Sequence, residues 1–249
     1  MKLKSVLNFR DVGGMPSSGN GNIRKGQIFR SATIDNIKNE DISMLRDFGI
    51  RTIIDLRAPK EAKKSRKTVN DIVALSLPLD FQQTTRERLK PFLYKKGSEE
   101  ILADISNKLY LDILDAASPV LKQIMELLVS DNGAPVLIHC QAGKDRTGII
   151  IALVLLALGV DRQLISEDFM KSNDELLPYF KKLLLIRKII TFGYFPAKRM
   201  LYVITVKERN INSVIDRVDS HYGGIEGYLA LSGFEVSKLV DLRKKFCTI

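Results

Sequence analysis

Cys140 and Arg146 are the residues whose types and spacing could do chemistry. They stand in the stretch Pro135-Val136-Leu137-Ile138-His139-Cys140-Gln141-Ala142-Gly143-Lys144-Asp145-Arg146-Thr147-Gly148. A thiolate is a good nucleophile when its pKa is depressed, and a helix N-terminus with nearby cations depresses it. A phosphoryl group undergoing substitution spreads charge over three equatorial oxygens. Those oxygens call for a ring of N–H donors and a bidentate guanidinium. Amides from Gln141 to Arg146, including those of Ala142, Gly143, Lys144 and Asp145, can supply the ring, and Arg146 the fork. The Thr147 hydroxyl can bond the thiolate and ease its departure. Taken alone, a cysteine at a strand end is a small buried hydrophobe, and a loop arginine is a surface charge. The combination His-Cys-x-x-Gly-x-x-Arg-Thr-Gly is what points to nucleophilic chemistry. The loop does not bind ATP in the Walker manner: Asp145 follows Lys144, and no glycine stands at the required upstream position.

The flanking elements must position these groups. Residues 136–138 read as a buried strand, and Gly143 is the pivot of the polar loop. Residues 149–160 are almost wholly apolar and too few to cross a bilayer, so they predict a buried core helix. Strand, tight loop and helix N-terminus together make an anion site.

Upstream, residues 8–14 read as a loop with paired glycines and 15–26 as a hairpin or surface turn. Strands are expected at 27–32, 51–56 and 73–79, and a helix at 39–48 with Gly49 as its stop. Residues 60–67 form a basic run, either a solvated helix face or an anion site. Residues 81–97 form either an active-site flap or an ordinary connection. Ser98 is a candidate N-cap for a helix to about residue 116, and Pro119 starts another. Further helices are expected at 161–170, 176–190, 196–207, 211–221 and 235–246. The insert at about 173–210 is a candidate lid over the loop, with simple helical packing as the alternative. The fold class is therefore α/β: a central, mostly parallel sheet flanked by helices, with a helical insert after the central helix. Residues 1–249 read as one domain.

The chain has 249 residues and a formal net charge of +10, which favours acidic partners: phosphorylated protein, anionic lipid or nucleic acid. Its two cysteines, Cys140 and Cys247, make no disulfide framework, and a working thiolate suits a reducing compartment. Two histidines, His139 and His221, cannot build a histidine-rich metal site. Neither a signal peptide nor a membrane span is visible, so a cytoplasmic location is expected.

HCQAGKDRTG resembles the signature of the cysteine-dependent protein tyrosine phosphatase superfamily. Its GKDRTG ending is similar to the atypical bacterial branch, alongside lipid and dual-specificity phosphatases. The resemblance extends to Asn8-Phe9-Arg10-Asp11-Val12-Gly13-Gly14, Arg30-Ser31-Ala32, Ile54-Asp55-Leu56-Arg57 with Glu61, Asp168-Phe169-Met170-Lys171-Ser172-Asn173, and Tyr222-Gly223-Gly224-Ile225-Glu226-Gly227-Tyr228. It covers nearly the whole chain, in order. Secreted virulence phosphatases of that branch carry an export signal, and this chain shows none.

The resemblance implies that Cys140 is the nucleophile and Arg146 binds the phosphoryl oxygens. His139 would hold the loop and Thr147 tune the thiolate. Arg57 and Arg10 would join Gln141, Ala142, Gly143, Lys144 and Asp145 in binding phosphate or substrate. The general acid is either Asp145, inside the loop, or Asp80, after its own strand. Lys144 adds a second cation, as in phosphoinositide phosphatases of the superfamily. The implied activity is a phosphomonoesterase that needs neither metal nor cofactor. It would act on phosphotyrosine, with phosphoserine, phosphothreonine or phosphoinositides as further substrates. Two rivals come from other classes: an inactive phosphate-binding adaptor, and a binder of anionic membrane or nucleic acid. Nucleic acid is not an expected partner, and any membrane contact is expected to be weak.

Overall fold

The computed structural model describes residues 2–19, 21–62, 69, 71–80 and 99–248. Most of the basic run after Lys60, the 81–97 stretch and Ser98 lie outside the described residues.

β5 (Val136–His139) is the centre of the sheet, and all four of its residues are buried. β2 (Ile28–Ser31) and β3 (Thr52–Asp55) lie parallel on its two sides. β4 (Val73–Ser76) extends the sheet beyond β3, and β1 (Arg10–Asp11) pairs antiparallel with β2. The order is β1-β2-β5-β3-β4. Apolar runs rather than alternating patterns mark the inner strands, because both faces of a parallel sheet are covered. β4 is the solvated edge, with Val73 59% exposed. The register places Ser31 and Asp55 beside His139. Three parallel strands therefore end level, and the chain leaves all three on the same side, where α/β sites form.

Alternation along the inner strands divides the core in two. Phe29, Ile53 and Leu137 face α1 (Asn39–Asp47), with Phe9, Phe29 and Phe48 mutually stacked at centroid distances of 5.6 to 5.8 Å. Ile28, Ile54, Val136 and Ile138 face the larger helical layer. That layer is built on α3 (Glu99–Val129), α4 (Arg146–Ala157) and α5 (Arg162–Ile190). After α6 (Ala197–Ile204) come α7 (Glu208–Tyr222), α8 (Ile225–Leu231), a short 3-10 turn at Val236–Lys238 and α9 (Leu239–Phe246). α2 (Pro59–Ala62) follows β3. The expected stripe Ile211, Val214, Ile215 and Val218 is buried.

Several expectations are corrected. α3 runs unbroken through Pro119, and α5 through Pro178, where the sequence predicts two helices each. A mid-helix proline costs about 3 kcal/mol. Around Pro119 the burial of Ile113, Leu114, Ala117, Val120 and Leu121 outweighs it. Arg10–Asp11 is strand rather than loop. α8 fills a stretch for which the sequence predicts no element, entered through Gly223 at φ 71°, a left-handed helix cap. α4 starts at Arg146, three residues before its apolar run. That shift puts Arg146, Thr147 and Gly148 in the first turn, where N–H groups lack helical partners. Among the described residues no helix is long and apolar enough to cross a membrane.

Candidate active site

Cys140 leaves β5 3% exposed, at the start of the loop that ends on α4. The loop is held from behind through three successive carbonyls. Thr33 N donates to Gln141 O at 3.2 Å. Asn8 Nδ2 donates to Ala142 O at 3.2 Å and to Gly143 O at 2.8 Å. Arg30 Nη2 donates to Gly143 O, also at 2.8 Å. In a trans peptide the N–H points opposite to the C=O. Tying back the carbonyls of 141, 142 and 143 therefore turns the N–H groups of Ala142, Gly143 and Lys144 the other way, as a phosphate cradle requires. Gly143 makes this possible: its φ is +66°, and a Cβ there would lie 2.1 Å from Ser31 O.

Behind these struts sits a buried charge cluster. Asp168 accepts from Arg30 Nη1 at 2.7 Å and from Arg10 Nε at 2.8 Å, and Arg10 Nη1 donates to Asn8 Oδ1. Burial alone would raise Asp168, but Arg30 and Arg10 hold its carboxyl below the usual range. Burial and the charge of Arg10 bring Arg30 down to about 10, which leaves it protonated at neutral pH.

Arg146 is forked by Glu61: Nη1 to Oε2 at 2.6 Å and Nη2 to Oε1 at 2.9 Å. Burial works against the guanidinium, yet the Glu61 hydrogen bonds and negative charge at Cys140 push its pKa up. The same pair holds Glu61 below its ordinary value against the opposing effect of burial. Bidentate pairing fixes the plane of the guanidinium before any substrate arrives.

Asp145 is also held. Its Oδ1 accepts from Tyr110 Oη on α3 and from Lys144 Nζ at 3.1 Å. Burial and the charge of Asp145 push the Tyr110 phenol well up, so it stays a donor. Both donors fall on Oδ1. Asp80 is exposed just past Leu79, whose N–H donates to Leu56 O at 3.1 Å. Among the described residues no hydrogen bond or ion pair joins Asp80 to the loop.

The Thr147 hydroxyl is buried with no hydrogen-bond partner among the described residues. Lys144 lies in the loop with its side chain 11% exposed, not as a solvent-facing lysine. Arg57 and Arg10 are placed differently from expectation. Arg57 is 1% exposed, and its guanidinium is taken by Asp35 and Asp55, each at 2.7 Å, and by Thr33 at 3.0 Å. It ties the end of β3 to the segment after β2. Arg10 is a strut of the Asp168 cluster. Among the described residues the donors of both meet protein oxygens, chiefly carboxylates: Asp35 and Asp55 for Arg57, Asp168 for Arg10.

Sequence reasoning did not assign roles to Asn8, Arg30, Glu61 or Tyr110. The first three lie in stretches already singled out by resemblance. Tyr110 left no signal, being one aromatic inside the apolar spacing of α3.

His139 Nδ1 lies 3.3 Å from Cys140 O and 3.9 Å from Asp55. Burial lowers the His139 pKa, outweighing the opposing charge of Asp55. An unfolded histidine near 6.5 therefore takes up its proton before the folded one does, and folding weakens as pH falls below about 6.5. Denaturant midpoints at neutral and mildly acidic pH should differ in that sense, and His139→Asn should narrow the gap. A gap unchanged by His139→Asn would assign the acid lability to other groups.

A level set of parallel strand ends, a backbone cradle, a cysteine at its start and a carboxylate-forked arginine at its end define a cysteine-dependent phosphatase. Residues 1–248 match the family model described as the tyrosine phosphatase family, and the chain belongs to that family. It is accordingly a phosphatase, a hydrolase. It is 27% identical over 276 residues to the triple specificity protein phosphatase PtpB of Mycobacterium tuberculosis, covering 97% of each chain. It is 24% identical over 226 residues to a putative tyrosine-protein phosphatase of Cupriavidus necator, covering 90% of this chain and 81% of the other. The core catalytic domain of the PP-IP phosphatase SIW14 from S. cerevisiae aligns at 16% identity and a TM-score of 0.37, over 69% of this chain and 78% of that one.

Proposed function

We propose that residues 1–249 work as one phosphatase domain that hydrolyses phosphotyrosine through a phosphocysteine. The observation that carries this is the pairing of the tied-back loop beside Cys140 with Arg146 forked by Glu61. Cys140 Sγ attacks phosphorus, an S–P bond forms, and the P–O bond to the leaving group breaks. Asp145 gives its proton to the departing oxygen. Water then attacks phosphorus and returns a proton to Asp145. The S–P bond breaks, inorganic phosphate leaves, and Thr147 Oγ1 donates to the reformed thiolate. Throughout, the cradle amides and Arg146 hold the equatorial oxygens, with the largest gain where charge builds in the transition state. The thiols of Cys140 and Cys247 are free, which fits a reducing, cytoplasmic setting.

Phosphoserine, phosphothreonine and phosphoinositides are proposed as further substrates, in keeping with the triple specificity of PtpB. Turnover compared across phosphotyrosine, phosphoserine and phosphoinositide with one preparation tests the reading. No turnover on any of them would leave a phosphate-binding adaptor in its place.

The lipid part turns on Lys144. Among the described residues its ammonium donates to Asp145, and an ammonium has three donors in all, so the reading gives it a second phosphate to meet. Such a contact is worth about 1 kcal/mol, or several-fold in kcat/KM. Lys144→Met should lower turnover of polyphosphorylated inositol lipids several-fold more than that of a phosphotyrosine peptide. Equal losses would mean that Lys144 acts only through Asp145.

A further inference from the structure

Among the described residues eleven large apolar side chains are exposed, and six of them gather in one place. Ile189, Ile190, Phe192 and Tyr194 occupy the outer end of α5 and the turn after it, and Phe192 and Tyr194 are 91% and 89% exposed. Leu185 and Ile186, a turn earlier, are exposed as well. Soluble surfaces normally scatter such residues singly, and a contiguous patch marks a contact. The charge around them is one-sided: residues 176–207 hold seven Lys or Arg and no Asp or Glu. Lys181, Lys182, Arg187, Lys188 and Lys198 are exposed.

The tip is a built feature. Asn173 closes its base, donating to Val206 O at 3.0 Å and accepting from Val206 N at 2.9 Å. Leu184 is the last buried residue of α5, so the helix end stands clear of the core. Thr191 Oγ1 donates to Arg187 O at 2.8 Å and accepts from Phe195 N at 3.1 Å, ordering the turn. Phe192 is held at φ 50°, a costly conformation for a bulky residue. At 1.5 Å per residue the tip lies about 33 Å along α5 from Asp168.

We propose that this tip docks the protein on an anionic bilayer surface, with Ile190, Phe192 and Tyr194 entering the headgroup boundary and the surrounding lysines meeting acidic lipid. Charge complementarity selects the occupant: an acid-free cationic collar around a convex apolar end suits a fluid anionic interface. A tyrosine among aliphatic residues is at home at that depth. The docking goes beyond the catalytic reading, since it does not depend on which phosphate is cleaved.

The test is co-sedimentation of the full chain with phosphatidylcholine vesicles, with and without phosphatidylserine. Omitting phosphorylated inositol lipid keeps the active site out of the measurement. Phosphatidylserine should promote binding. The double variant Ile190→Ser, Phe192→Ser should weaken it about tenfold or more, and each of Lys181→Gln and Lys188→Gln about fivefold. Turnover of a soluble aryl phosphate should be unchanged in all three. The proposal is overturned if phosphatidylserine adds nothing, or if the serine double variant binds as the parent does, which would assign adsorption to the basic surface at large. It is equally overturned if the double variant changes the oligomeric state without lipid, or lowers soluble turnover, which would make the patch a self-association face or part of the active site.

Discussion

Cys140→Ser should reduce turnover by about 10⁴-fold or more while inorganic phosphate still binds. A serine hydroxyl stays protonated at working pH, so the attacking atom loses its charge while the cradle and Arg146 are untouched. Vanadate should inhibit the parent enzyme, because its trigonal bipyramidal form matches the transition state. EDTA should leave the rate unchanged. Activity retained by Cys140→Ser, or lost to EDTA, would refute the phosphocysteine route. Cys247→Ser is the control. Cys247 is buried, and a β-bridge joins its backbone to Ile23. Its replacement should cost stability and leave kcat alone.

Asp145→Asn carries the second large effect. Loss of a general acid costs about 10² to 10⁴ in rate, and the cost rises with the basicity of the leaving oxygen. Turnover of phosphoserine or an alkyl phosphate should therefore collapse, while an aryl phosphate with an acidic phenol is spared most of the loss. The basic limb of the pH–rate profile should flatten. Tyr110 and Lys144 hold Oδ1, and an asparagine can keep that acceptor but has no proton to give to a leaving oxygen. Asp80→Asn belongs in the same experiment. If Asp80→Asn shows the leaving-group dependence and Asp145→Asn does not, the acid lies outside the loop.

Much of the site was legible because it is local. Cys140, Arg146, Asp145 and Thr147 lie on one short stretch, and an apolar run on each side announces the strand and helix that aim it. Strand ends and helix N-termini are consequences of spacing, and spacing is written in order along the chain. The same holds for the α7 stripe and for the Gly49 stop of α1, at φ 70°.

What the sequence could not supply was the choice of partners. Glu61 meets Arg146 across 85 positions, Arg30 meets Gly143 across 113, and Asn8 meets Gly143 across 135. No periodicity encodes such pairs; they exist because β2, β3 and β5 align in register and stop level. The same packing decided that Arg57 and Arg10 pair with carboxylates, and that Pro119 and Pro178 interrupt nothing. The sequence by itself determined the candidate reacting groups and the local elements that carry them. Tertiary structure decided which charges are spent on holding the loop, because burial makes an unpaired charge far costlier than a paired one.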